Sequence, residues 1–227
     1  MSQLRSHQSA DSPLTAMQIV GAVTVMFLWA LCFPLIRVGL TASPPLTFAT
    51  MRAVLAGVVL LVIAQWLGRP AIHGAGIWTG IVWVGITATG VGFVGMFLGG
   101  ERVAPGLATV LANTQPLIAV ALAWRFLGER LGPSQRWGLA LGFAGIVLIG
   151  APSMSGSTSQ MRGIAFILLA AVGVAVSNVI SKRLAGRVDS LRAMGWQLLI
   201  GSAPLAALAV ATEPVSDVSW NTEFVLT

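Results

Sequence analysis

The chain has 227 residues, 56% of them apolar and 9% charged, with a formal net charge of +6. An ordinary soluble domain carries about 25% charged residues, and no soluble fold of this size hides so large an apolar share from water. Lipid must solvate many of these side chains, which excludes a soluble globular domain. The Lys and Arg residues are scattered between apolar runs, with no aromatic-interleaved basic face. They read as membrane anchors, and no nucleic-acid partner is expected.

In chain order, Met1 to Thr15 is polar, rich in Ser and Gln, and is expected to be a disordered cytoplasmic tail. Seven apolar runs follow, at about 16–37, 46–67, 77–98, 103–124, 135–151, 163–181 and 193–211, each near the roughly 20 residues that cross a hydrocarbon core. Each must be helical, because lipid offers backbone N–H and C=O groups no partner. Pro44-Pro45, Gly68-Arg69-Pro70, Gly99-Gly100, Gly132-Pro133 and the stretch from Pro152 to Gln160 punctuate the runs as turns. The first run is too long for a signal-peptide core, and Leu31 is too large for the residue before a lipoprotein cysteine. Cys32 is the single cysteine, so no intramolecular disulfide forms. The fifth run is the shortest. Its Trp137 suits a membrane interface, as do Trp66 and Trp78.

With a cytoplasmic N-terminus, one face holds nine basic residues: Arg5, Arg69, Arg125, Arg130, Arg136, Lys182, Arg183, Arg187 and Arg192. The other face holds Arg37, Arg102 and Arg162, with Arg52 inside a span. The bias predicts a multi-pass protein of the inner (plasma) membrane with its N-terminus inside. Glu213, Asp217 and Glu223 then fall outside, where acidic residues carry little weight for orientation.

An internal echo accompanies this topology. An offset of about 144 residues puts Ile36 on Ile180, Leu40 on Leu184, Ala49 on Ala193, Leu55 on Leu199, Gly57 on Gly201 and Leu61 on Leu205. A first unit of five spans, an odd number, makes the second start from the opposite face. That is the inverted-topology repeat typical of secondary transporters with a midplane site. The first repeat covers 16–151 and the start of a second covers 161–227, with room for two spans. By the same offset the second repeat should run about 70 residues further, so the chain is expected to be truncated.

Catalysis has little to work with. His7 and His73 lie in the tail and a loop, and there is no metal-binding His-Glu spacing, no Gly-x-Ser-x-Gly elbow and no pair of intramembrane carboxylates. No enzyme activity, metal or cofactor is expected. Asp189, Glu101 and Glu129 sit at span ends beside arginines, as solvated ion pairs do.

The polar residues inside spans are the candidate substrate contacts. Arg52 lies about six residues into the second span, where a charge is expensive unless paired or hydrated. It reads either as a cation lining an aqueous cavity or as an arginine snorkelling to the outer interface. Asn113-Thr114-Gln115-Pro116 interrupts the fourth span, and Pro116 removes a backbone donor there. A kinked helix with Asn113 and Gln115 facing a cavity is one reading, and amides bonding between packed helices is the other. Asn178 and Gln197 are similar candidates in the sixth and seventh spans. Trp29, Phe33 and Trp196 could stack on a flat solute or simply pack. Gly76-xxx-Gly80, Gly95-xxx-Gly99 and Gly138-xxx-Gly142 predict close intramolecular helix packing, and nothing indicates an oligomer.

The stretch Asn113 to Gly150 resembles the EamA-type family of the drug/metabolite transporter superfamily. The resemblance rests on Pro116, Gly128-Glu129, and Gln135 with Gly138, Gly142 and Gly145. Trp29-Ala30 and Phe33-Pro34 in the first span, Arg52 in the second, and Trp196-Gln197 agree with it, so the likeness covers nearly all of 16–211. It implies an all-α polytopic membrane protein of ten helices in two inverted five-helix repeats, a central cavity, and both termini cytoplasmic. It also implies export or exchange of small metabolites, amino acids or drugs. The chain departs from this pattern by stopping where an eighth helix should begin, around Trp220 to Thr227. The competing function is a non-transporting membrane partner that needs a second chain to complete the bundle. Dual-topology assemblies of that kind have balanced loop charge, and this chain does not.

Overall fold

A computed structural model describes residues 16–128, 132–150 and 157–214, and every regular element among them is a helix. α1 (Ala16–Gly39) is followed through a short turn by α2 (Pro45–Trp66). A rod of 28 residues, Ala75–Arg102, follows. It consists of α3 (Ala75–Val84), a π-helical segment (Gly85–Val91) and α4 (Gly92–Arg102). α5 (Pro105–Ala112) and α6 (Gln115–Leu127) make one broken span; then come α7 (Pro133–Gly150), α8 (Thr158–Leu184) and α9 (Ser190–Thr212).

Six of these units are long and apolar enough to cross a membrane: α1, α2, the rod, α5–α6, α8 and α9. The sequence predicts seven. The fifth run does form a helix, α7, of 18 residues, but its opening turn, Pro133 to Arg136, is polar. α7 runs up to the edge of the described residues, so the apolar stretch that begins at Trp137 is followed only to Gly150. α8 and α9 outrun their predicted runs and open at side-chain caps. The Ser157 hydroxyl accepts from the Gln160 amide at 3.3 Å to open α8, and Asp189 Oδ1 accepts from the Arg192 amide at 3.0 Å to open α9.

α2 starts differently. Pro45 opens the helix, but Pro44 has no side-chain acceptor to cap it. The Glu213 carboxylate, at the far end of α9, does so instead. The Leu46 amide donates to its Oε1 at 2.8 Å, and the Thr47 amide and hydroxyl donate to Oε2 at 2.8 and 2.9 Å. Glu213, read from sequence only as an external acid, thus fastens α2 to α9. At the opposite end Arg192 returns the tie, its Nε donating to the Arg69 carbonyl at 2.9 Å and Nη2 to Gln65 Oε1 at 2.8 Å. These contacts define a Glu213 end and an Arg192 end of the bundle. Asp189 also stands 3.8 Å from Arg69, and Glu101 pairs with Arg102 at 2.7 Å, as expected of span ends. Glu129, Asp217, Glu223 and the tail to Thr15 lie outside the described residues.

Burial separates centre from rim. Half of the rod's apolar window is buried and 44% of α8's, against 12% for α1. Met26, Phe27 and Leu55, on α1 and α2, are more than 60% exposed. These faces account for the lipid-like composition. One core joins Phe33 and Ile36 of α1, Phe48 and Ala53 of α2, Met96 and Phe97 of α4, Ile167 of α8 and Leu205 of α9. Phe48 meets Phe97 edge-on, with ring centroids 5.4 Å apart.

Glycine sets the closest approaches. A Cβ at Gly95 would collide with the Phe166 carbonyl, and one at Gly201 with the Gly85 carbonyl. Without side chains the helix backbones come into direct contact, which is how helices associate where no hydrophobic drive separates protein from lipid. Of the three predicted small-residue motifs, Gly95-xxx-Gly99 is packed along its length against α8. Gly76 and Gly138 face open space, so the other two motifs act only through Gly80, against Leu184, and Gly142, against Leu117.

Candidate functional site

Two cavities lie where the rod, α8 and α9 diverge. The first, of about 550 Å³, reaches the α8–α9 turn at Val188 and Ser190 and so opens at the Arg192 end. Ile81, Val84 and Leu184 line its apolar walls, and its polar lining comes from Gln115, Ser177, Asn178, Ser181, Ser190 and Gln197. Among the described residues, no charged one lines it. The second, of about 410 Å³, is lined by Cys32 of α1, Arg52 of α2, Thr89 of the π-helical segment, Phe93 and Phe97 of α4, and Gln197 and Leu198 of α9.

The local sequence explains how these groups reach membrane depth. Pro116 has no N–H, so the helix cannot continue through it unbroken. The Asn113 amide N–H bonds to the Thr109 carbonyl and the Thr114 amide to Leu111, and α6 restarts at Gln115. The Thr114 hydroxyl donates to the Leu111 carbonyl at 2.7 Å, satisfying part of the break internally. The predicted kink is therefore a true interruption, and it leaves Gln115 on the cavity wall. In the rod, the π-helical segment carries Ala88 and Thr89 into the cavities. Such wide turns cluster at functional sites.

Arg52 is half-buried, and both of its Nη atoms point at Cys32 Sγ from 3.8 Å. Among the described residues no carboxylate pairs with it. It lies seven positions into α2, about 10 Å along the axis. The thiol can accept only weakly, so the guanidinium keeps most of its donors for the cavity.

The candidate residues divide accordingly. Gln115, Asn178 and Gln197 come together on the first cavity, and Arg52 and Gln197 on the second. Phe33 is buried in the core against Gly100 and lines neither. Trp196 packs edge-on against Trp78, with centroids 5.3 Å apart, at the Arg192 end. Asn113 is exposed and donates from Nδ2 to the Thr109 carbonyl at 2.8 Å. The side chain of Trp29 lies outside the described residues. Sequence reasoning passed over Ser177 and Ser181, whose spacing from Asn178 puts them on one stretch of α8. It also passed over Cys32 and the π-helical segment, whose only signal is the glycine-bracketed run Gly85 to Gly92.

The fold and its polar-lined cavities define a multi-pass α-helical membrane protein. Residues 16–151 match the EamA-like transporter family, and the chain belongs to that family. It is 32% identical over 205 residues to the uncharacterized transporter YvbV of Bacillus subtilis, covering 88% of this chain and 65% of YvbV. It is 29% identical over 194 residues to a probable amino-acid metabolite efflux pump of Escherichia coli, covering 84% of this chain and 62% of the pump. A solved crystal structure superposes with a TM-score of 0.68 at 25% identity, over 89% of this chain and 70% of that one. The chain spans between 46% and 70% of the length of the curated relatives it matches. YvbV and the efflux pump are named as transporters and not as enzymes.

Proposed function

We propose that the chain moves a small organic solute, an amino acid, related metabolite or drug, across the inner membrane by alternating access. The observation that carries this reading is the first cavity, about 550 Å³. It falls within the roughly 300–1,000 Å³ of small-molecule sites, and it opens at one end of a bundle whose relatives are named transporters. Gln115, Asn178 and Gln197 offer amide donors and acceptors to the solute, and Arg52 offers a cation to an anionic group in the second cavity. Trp29 remains a candidate for stacking. Phe33, Asn113 and Trp196 serve packing and the helix break.

In this reading the Arg192 end faces the cytoplasm, as does the N-terminus. The helix boundaries support an inverted repeat: offset by about 144 residues, α1 and α2 fall almost on α8 and α9. Reporters fused after Gly68 and Gly186 should read cytoplasmic and one after Pro152 external; the reverse at any two sites overturns the topology.

Transport is tested by accumulation of labelled amino acids in vesicles carrying the chain against blank membranes. Arg52→Ala should lower transport more than it lowers membrane protein level, and Arg52→Lys should restore part of it if charge alone matters. Equal uptake by loaded and blank vesicles would favour a non-transporting partner.

A further inference from the structure

We propose that Ala88, Val174 and Gln197 form a movable partition between the two cavities, and that the Gln197 amide is the specificity-determining group a solute engages to pass. The solute's part in this rests on the transport reading; the partition does not. Three observations converge on it. These are the three residues that line both cavities. They come from the π-helical segment, α8 and α9, so each belongs to a different wall. Among the described residues, Gln197 Oε1 is the one buried side-chain polar atom that no donor reaches.

An unpaired buried carbonyl costs free energy that a change of rotamer into either cavity recovers. The closed partition therefore carries its own bias toward opening. The neighbouring backbone is built for movement of the same kind. A Cβ on Gly85 would stand 2.7 Å from the Gln197 carbonyl oxygen, so the π-helical segment lies directly on α9 at this residue. A π-helical segment holds a surplus residue relative to an α-helix, and losing or shifting it re-phases Ala88 against its partners. Chemistry also changes across the partition, from hydroxyls and amides on one side to the Arg52 guanidinium on the other. A solute crossing it must leave neutral partners for a cation, with an N–H or O–H donor satisfying Gln197 on the way.

The single cysteine is a built-in reporter, because Cys32 lies in the second cavity, beyond the partition from the Arg192 end. A membrane-impermeant maleimide is applied at that end to vesicles bearing the chain, with Cys32→Ser as the blank. Gln197→Ala removes the barrier and should label faster. Gln197→Met keeps the bulk but removes the orphaned acceptor, and should label more slowly by about fivefold, the worth of one hydrogen bond. Phenylacetamide, which offers N–H donors, should slow labelling of the parent chain, while N,N-dimethylphenylacetamide should not; in Gln197→Met the two should act alike. Equal labelling of parent, Gln197→Ala and Gln197→Met overturns the partition, and equal slowing by both amides in the parent overturns the specificity role. If Gln197→Ala fails to insert, Val174→Ala takes its place with the same expected acceleration, and unchanged labelling in that variant overturns the partition equally. Labelling that responds as described in vesicles that transport nothing would leave the partition standing and remove the transport reading alone.

Discussion

The rod and α8 run side by side for most of their length, yet their two halves behave oppositely. Toward the Glu213 end, Gly95 and Gly99 lie against the Phe166 and Gly163 carbonyls, leaving no space for a methyl group. Toward the Arg192 end, Ile81 and Val84 face Ser177, Asn178 and Leu184 across the first cavity. The π-helical segment sits where one regime gives way to the other. The difference teaches that the cavity is not a packing failure. The pair stays in contact at both ends, through Gly95 and Gly99 at one and Gly80 against Leu184 at the other, and polar groups of α8 collect beside the second contact, where water or solute can enter.

The sharpest way to break this contrast is to give the closed half a side chain. Gly95→Leu forces a branched group into the Phe166 carbonyl, and overpacking of this kind costs about 1–3 kcal/mol, at the upper end where the neighbour is backbone. Loss of monodisperse protein in detergent, or a large fall in Tm, is the expected outcome. Gly138→Leu, where a Cβ meets nothing within 4 Å, should leave both unchanged. Comparable losses from the two would mean that close approach is not what holds the seam.

A smaller effect belongs to the clamp at the same end. Glu213→Ala leaves the first amides of α2 without their acceptor, and lost helix caps cost about 1–2 kcal/mol. Tm should fall, with Glu213→Gln between parent and Ala because an amide oxygen still accepts. In the open half the expected effect moves from stability to affinity. Asn178→Ala should raise the apparent KM for solute about fivefold, one hydrogen bond's worth, while Tm stays put. The smallest change is predicted for Asn113→Ala, within about 0.5 kcal/mol in stability and without effect on KM, since its amide is spent on its own helix.

The helices were legible because lipid imposes one rule on every span, and the rule is local. Apolar runs near 20 residues sufficed to locate the six helices long and apolar enough to cross, and the fifth run also falls on a helix, α7, whose opening turn at Pro133 to Arg136 is polar. The helix break at Pro116 was legible for the same local reason, a missing N–H. Side-chain direction was not. Asn113 and Gln115 are two residues apart, which on a helix puts them on nearly opposite faces, and only Gln115 reaches the cavity. Phe33 and Trp196 look like stacking groups in sequence, and their partners, Gly100 and Trp78, are distant in the chain. The cap on α2 was invisible because its carboxylate comes from α9. Nothing in Gly85 to Val91 announces a wide turn except its glycines, which are common throughout this chain.

The clamp on α2 has a consequence in time. Glu213 lies 167 positions after the Leu46 amide it accepts from. At synthesis rates of about 5–20 residues per second, roughly 8–33 s pass between the appearance of the two ends. Through that interval the start of α2 must be served by interfacial water or lipid headgroups. The bundle therefore closes its second helix only when α9 has crossed, and a nascent chain halted earlier would carry an open, hydrated helix end into the reach of quality-control proteases.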